Sequence, residues 1–448
     1  MELTTRRIFS KLFSGSAVLS IVLLAAALLV FLVPVFWRGM EAFVFEGTVE
    51  FRTMQLDKFE RGDPERIDRQ KQRALAARKP VYDMLSEFEQ ELDDMSVVDR
   101  MEYKEPFSVL KDRIRQLLGP PPDAPKPSLP RDQYGATRMD AARETLHSIL
   151  YKTVYKRDTS SEMGTKAYEP RRPEFKGTAI APLFDYMENN LEEMMQPQRE
   201  FYWQFLIDRP IDANFFGGIW PALLGTLYLT VGAVIFAVPM GVLSAIYLIE
   251  YAGDNWLVSI LRTFVSTLAG VPSIVFGLFG LAFFINTVGI SDSKSVLAGA
   301  LTLGLLILPM VIRAAEEALR SVPGTYKEAA LSLGASRWRT ILTVILPTAL
   351  PGIISGIIIS MGRAAGETAP IIFTAAVSVG APLGLLDTFS EPTQALSWGI
   401  YNLATEHEAA DEIRHVQYGM ALTLISLVLL LNLAAIILRS KLSKKQRG

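Results

Sequence analysis

The sequence predicts an all-α polytopic membrane protein with a mainly helical soluble insertion. Three observations carry this. Half of the 448 residues are hydrophobic and mean hydropathy is positive. Apolar runs of about 20 residues or more recur, long enough to cross a hydrocarbon core of about 30 Å. A charged block with no such run separates the first from the others. With no cysteine, disulfides, thiol catalysis and cysteine-ligated zinc are excluded. The three histidines, His147, His407 and His415, are scattered, which argues against a histidine-built metal site. A net charge of −2 excludes nothing.

Taken in order, residues 1–37 hold a short basic start (Arg6, Arg7, Lys11) and an apolar run from about Ala17 to Trp37. The run is long enough to span and no A-x-A-like cleavage site follows, so a retained anchor is expected. Residues 38–215 form the insertion, expected on the extracytoplasmic, periplasmic side. Phe45 to Leu56 alternates like a strand. Pro64 to Lys79, Val81 to Met95 and Pro106 to Leu118 read as amphipathic helices, with Leu85, Phe88 and Leu92 and then Leu110, Ile114 and Leu117 at helical spacing. Gly119 to Pro130, with six prolines, reads as an extended loop. Ala141 to Tyr155 and Pro182 to Met195 read as further helices. The carboxylates and basic residues of this block form no catalytic constellation and are read as a solvated face.

Residues 216–438 carry the remaining spans. Ile219 to Ile249 is apolar with Gly225, Gly232 and Gly241, suited to close helix packing. A turn at Gly253, Asp254 and Asn255 leads into Trp256 to Ile285, interrupted at Gly270-Val271-Pro272-Ser273. Leu297 to Ile312 is the fourth span, Leu350 to Val377 the fifth and Val416 to Leu438 the sixth. Gly380 to Arg414 is expected as a loop with an acidic end, and residues 439–448 as a basic tail. Six spans put both termini on one side. The basic ends and the segment 314–347 share that side, while the acidic loop takes the other, so the positive-inside rule makes both termini cytoplasmic.

The stretch Glu328 to Pro347 reads as a helical elbow bent at Gly334, where a missing Cβ lets the chain turn. Small residues Ala329, Ala330, Gly334 and Ala335 let another backbone come close. Glu328-Ala329-Ala330, three residues, Gly334, nine residues, then Val344-Ile345-Leu346-Pro347 resembles the coupling loop of ABC-importer permeases, with Val344 where isoleucine is more usual. With Gly362-Arg363-Ala364-Ala365-Gly366-Glu367-Thr368-Ala369-Pro370 following, residues from about Asn214 onward resemble the permease of phosphate-specific importers, PstA type.

Arg363 and Glu367 fall near the middle of the fifth span, four residues apart on one helix face. A charge there costs about 2.5–3.5 kcal/mol on insertion scales, so it needs a partner or a watery path. Two readings stand: an anion path with Arg363 as a fork for phosphate oxygens, or a structural ion pair. Gly362 and Gly366 are expected to admit neighbouring helices. Arg313 is expected to snorkel from the end of the fourth span, and Arg262 to be interfacial. Thr368, Ser273 and Asn286 are further polar candidates along the path.

The resemblance implies a non-enzymatic inner-membrane subunit for inorganic phosphate uptake. It implies a second homologous permease, a cytoplasmic ATPase dimer docking at Glu328, Ala329, Ala330, Gly334 and Arg337, and a periplasmic phosphate-binding protein. A regulatory sensor is a further candidate partner, and no nucleic-acid partner is expected. No G-x-x-x-x-G-K-[ST] loop occurs, so ATP and magnesium belong on the partner chain and no cofactor is expected on this one. Two rival readings remain: a permease for another small oxyanion or solute, or a membrane sensor. The short segment after the sixth span weighs against the sensor.

Overall fold

A computed structural model describes residues 3–122, 124–156, 165–253, 255–377 and 380–445, with side chains between 12 and 441 except those of Lys156 and Thr165. Asp254 of the turn before the third span, and the side chains of Arg6, Arg7 and Lys11, lie outside the described residues. The chain divides into two compact units, Met1–Ala42 with Gln204–Gly448, and Phe43–Trp203.

Helix α1, Leu3–Met40, is continuous. Its apolar length shows no buried face within the chain. It is held at its far end, where Gly39 lies against Leu422 and Arg38 Nη1 donates to the Tyr418 hydroxyl at 2.9 Å.

The unit Phe43–Trp203 begins with β1, Val44–Gly47, and α2, Val49–Phe59. The strand expected over Phe45 to Leu56 therefore ends early. Buried Thr48 stops it, because its hydroxyl donates to Ala136 O at 2.7 Å and caps Phe51 N–H at the helix start. Helix α3, Pro64–Asp94, runs through Pro80, where two helices were expected. Proline removes one donor, yet the buried stripe Ile67, Ala74, Val81, Leu85, Phe88 and Leu92 continues on both sides of it. Helix α4 is Val97–Leu118 and α5 the single turn Pro130–Gln133. Helix α6, Met139–Leu150, stops before Tyr155. Tyr151–Lys156 instead forms β2, antiparallel to β3, Thr165–Pro170, in keeping with its alternating Tyr, Thr and Val residues. Helix α7, Ala181–Met195, precedes β4, Gln198–Phe201, which pairs with β1. Phe88 packs edge-on against Phe107 and Phe175, at 5.0 and 5.9 Å between centroids. Buried Arg78 donates to Met194 O, to Leu118 O at 2.8 Å and to Glu50 at 2.7 Å, so its charge is paired and its donors are used. It thereby ties α2, α3, α4 and α7 together.

The larger unit resumes with the short pair β5, Pro210–Ile211, and β6, Phe216–Gly217. Helix α8, Trp220–Ile246, ends in a π turn, Tyr247–Tyr251. The expected break after Gly270 separates α9, Trp256–Leu268, from α10, Ser273–Gly280, which continues as a π turn to Thr287. The two arms bend by 102°. Five helices are long and apolar enough to cross a membrane among the described residues, and six if this bent pair is one span.

Helix α11, Val296–Arg320, runs well past Ile312, because Ala315, Ala318 and Leu319 extend its buried face. Arg313 is therefore inside this helix and exposed, not at its end. Helices α12, Gly324–Ser332, and α13, Arg337–Thr340, form the elbow. A π turn, Ile341–Ile345, leads directly into α14, Leu346–Gly366, so Pro347 does not stop the apolar run. It lies in the first turn of α14, where proline is tolerated. Helix α14 packs on α11 through small residues. A Cβ on Gly356 would lie 2.2 Å from Ala314 Cβ, and one on Gly352 2.8 Å from Ala318 Cβ. Such close approach is how apolar helices gain contact where lipid offers no hydrophobic drive.

The expected fifth helix, Leu350 to Val377, is broken at Glu367 and resumes as α15, Ala369–Thr374. The expected loop from Gly380 to Arg414 contains α16, Leu396–Thr405, which buries Leu396, Trp398 and Leu403. Helix α17, Arg414–Lys445, carries the last span and runs on past it to Lys445.

Candidate functional site

The first part of the site is the break between α14 and α15. Arg363 lies in the last turn of α14, where a cation complements the helix dipole. Glu367 follows the helix with an extended backbone, φ −73° and ψ 129°, and its carbonyl accepts from Ser397 Oγ at 3.1 Å. The break thus turns a four-residue spacing into a held pair. Arg363 Nε donates to Glu367 Oε1 at 3.1 Å. Arg363 Nη1 lies 3.2 Å from Met310 Sδ, near the middle of α11. No partner among the described residues engages Nη2. The Arg363 side chain is 40 % exposed and that of Glu367 18 %. Nε and Nη1 are thus engaged while Nη2 keeps its donors on a part-exposed side chain, an arrangement suited to an oxyanion.

Thr368 follows Glu367, half-buried, at the start of α15. Gly362 does face a neighbour, since a Cβ there would lie 3.4 Å from Val428 of α17. Around Gly366 the space is open among the described residues. Ser273 opens α10 and Asn286 lies exposed in the π turn before Val288. Arg262 Nη2 donates to Leu248 O at 3.1 Å. Met310 and Ser397, which frame the pair, had no signal in their local sequence; only the fold brings them to Arg363 and Glu367.

The second part is the elbow. Gly334 has φ +83° and ends α12 in a Schellman turn. Ala335 N–H donates to Ala330 O at 3.2 Å, and Gly334 N–H to Leu331 O at 2.9 Å. Ser336 then caps α13 by accepting from Arg339 N–H. Glu328 and Ala329 are exposed, Ala330 is half-buried, and space around Gly334 is open. Arg337 is exposed and its guanidinium lies 5.6 Å from the Tyr251 ring centre. Leu333 is 89 % exposed, with Tyr326 and Trp338 about half exposed beside it in sequence. The elbow therefore presents carboxylate, small and apolar surfaces together. Leu333 and Trp338 were not singled out by motif, although their position on a solvent-facing turn marks them.

Residues 237–448 match the family described as binding-protein-dependent transport system inner membrane component. The chain is also 40 % identical over 250 residues to the phosphate transport system permease protein PstA 1 of Mycobacterium tuberculosis, covering 56 % of this chain and 78 % of that one. The chain belongs to this family of binding-protein-dependent permeases. It is thus a multi-pass inner-membrane permease subunit of an ABC importer. The permease is similar as well to the probable ABC transporter permease protein YqgI of Bacillus subtilis, 35 % identical over 256 residues, 54 % of this chain and 85 % of that one. Among solved structures, an inward facing MetNI methionine ABC transporter matches at 20 % identity with a TM-score of 0.39, covering 49 % and 94 % of the two chains. The family match lies wholly in the unit that carries the permease's helix break and elbow.

Proposed function

We propose that this permease carries inorganic phosphate inward in an ATP-driven importer, with Arg363 on the anion path. The observation that carries the reading is the held Arg363–Glu367 pair at a helix break, with guanidinium donors left over. Glu367 fixes the guanidinium and also weakens its grip, which matters because a transported anion must leave as well as bind. Thr368 supplies a hydroxyl beside them. The relatives named for phosphate transport support the choice of anion.

A separate cytoplasmic ATPase dimer docks on the elbow, with Glu328, Ala329, Ala330, Gly334 and Arg337 in the contact, and brings ATP and magnesium. A second permease completes the path, and a binding protein delivers phosphate from outside. The bent pair α9–α10 counts as one span, which leaves both termini cytoplasmic and the unit Phe43–Trp203 outside. Elbow movement driven by ATPase closure switches the permease pair between outward- and inward-open states.

The test is uptake of labelled phosphate in cells lacking the chain, with and without its return, joined to ATPase stimulation by phosphate, molybdate and sulfate in the purified complex. Restored uptake and stimulation by phosphate alone are expected. Stimulation by another oxyanion in place of phosphate would overturn the substrate assignment.

A further inference from the structure

Behind the elbow, charged contacts from three helices meet on one turn of α8. That turn is the π segment Tyr247–Tyr251. Glu250 lies in it, with a side chain only 6 % exposed, and its Oε2 receives Lys327 Nζ at 2.5 Å. Lys327 belongs to α12. The Leu248 carbonyl of the same turn accepts from Arg262 of α9, and Arg262 Nε stands 4.0 Å from Glu316 Oε1 of α11. From α13, Arg337 lies over the Tyr251 ring.

Helix α12 buries no residue, so it is not seated on the bundle by an apolar face of its own. A buried carboxylate that loses its partner is left desolvated and unpaired, which is strongly unfavourable. Lys327 therefore cannot draw away from Glu250 without that cost, and displacement of α12 pulls on the turn. A π turn carries one residue more per hydrogen-bonded ring than an α turn, is rare, and is found frequently at functional sites. The receiving segment is this π turn, and Arg262 links it onward to α9 and α11.

We propose that Lys327 and Glu250 form a strap that passes elbow movement to the second span and, through Arg262 and Glu316, to the third and fourth. They are positioning residues and do not touch substrate. The proposal rests on the elbow being the ATPase contact. Couplings between sites commonly amount to 5–150-fold, so loss of the strap should lower transport by about tenfold or more.

The experiment uses the full chain in its complex, with radiolabelled inorganic phosphate as the probe. Glu250→Gln keeps the shape, removes the charge and leaves the exposed elbow face untouched. It should retain the ATPase as wild type does while phosphate uptake falls by about tenfold. Lys327→Arg should keep uptake. The reversed pair, Glu250→Lys with Lys327→Glu, should recover most of it, which a merely space-filling role would not allow. Normal uptake by Glu250→Gln would overturn the strap, as would a reversed pair that stays inactive. Loss of the ATPase from Glu250→Gln would also overturn it, by showing that Glu250 builds the docking face. A wild-type chain that retains no ATPase would instead overturn the docking reading itself.

Discussion

Gly334 offers a graded test of the elbow. Its φ of +83° is one that side-chain-bearing residues adopt only at a cost, and a Cβ added there meets nothing within 4 Å. Substitution therefore acts through backbone strain and not through a clash. Left-handed backbone costs a residue with a Cβ about 1–2 kcal/mol, and less for asparagine, which bonds locally. Helix α12 buries nothing that would force the turn to hold. The strain should then appear as a smaller population of the docking-competent elbow. At 1.4 kcal/mol per decade, Gly334→Ala should weaken ATPase binding by about 5- to 30-fold. Gly334→Asn should cost less, and Gly334→Val more because β-branching adds crowding. The assay is titration of the ATPase onto the purified permease in detergent, with phosphate uptake measured in parallel. Equal affinity across the four residues, or valine outperforming asparagine, would refute the reasoning. Gly334→Trp and Glu328→Arg should go further, leaving the chain in the membrane with no ATPase attached.

Three other predictions concern the rest of the molecule. Cysteine at exposed Ser128 should react with a membrane-impermeant thiol reagent in intact spheroplasts, with little background because the native chain has no cysteine; labelling only after lysis would reverse the topology. Gly356→Val should overpack the α11–α14 contact, costing about 1–3 kcal/mol or more, whereas Gly366→Ala should be silent because its surroundings are open; equal thermal stability of the two in detergent would contradict this packing. Tyr134 donates to Asp57 Oδ2 at 3.1 Å, and burial together with that carboxylate raises its pKa. A raised pKa stabilises the folded form below the ordinary tyrosine value and loses that contribution as pH climbs above it. Melting temperature should therefore fall between about pH 10 and 11 by more in wild type than in Tyr134→Phe, and identical losses would refute the assignment.

Much of the fold is legible from single residues. Gly334 after a small-residue helix announces a Schellman turn, and Gly270-Val271-Pro272 announces the 102° bend, because glycine and proline act locally. Glu367 shows where this stops working. Gly366 and Pro370 bracket a helix break, but the apolar residues on both sides mask it as one span. Helix α16 was hidden because its apolar face, Leu396, Trp398 and Leu403, is short and follows a segment punctuated by Gly380, Pro382, Gly384 and Pro392. Tyr151 to Lys156 fits a helix or a strand by pattern, and the partner strand at Thr165–Pro170 decides it. The Arg363–Glu367 pair is visible as a spacing, while Met310, Ser397 and the Glu250–Lys327 contact arise from residues far apart in sequence.

Removing both charges of the pair tests the central assignment most directly. Arg363→Gln keeps bulk and donors but leaves Glu367 without its partner. Arg363→Gln with Glu367→Gln leaves no unpaired charge, so the double variant should assemble with the ATPase and the second permease as wild type does. The measurement is uptake of radiolabelled phosphate by that double variant in cells lacking the native chain. If Arg363 serves the anion, assembly is intact and uptake stays at least about tenfold below wild type, in line with removal of one charge-assisted contact. Full uptake by the double variant would show that the pair only braces the helix, and would contradict the assignment of Arg363 to the phosphate path.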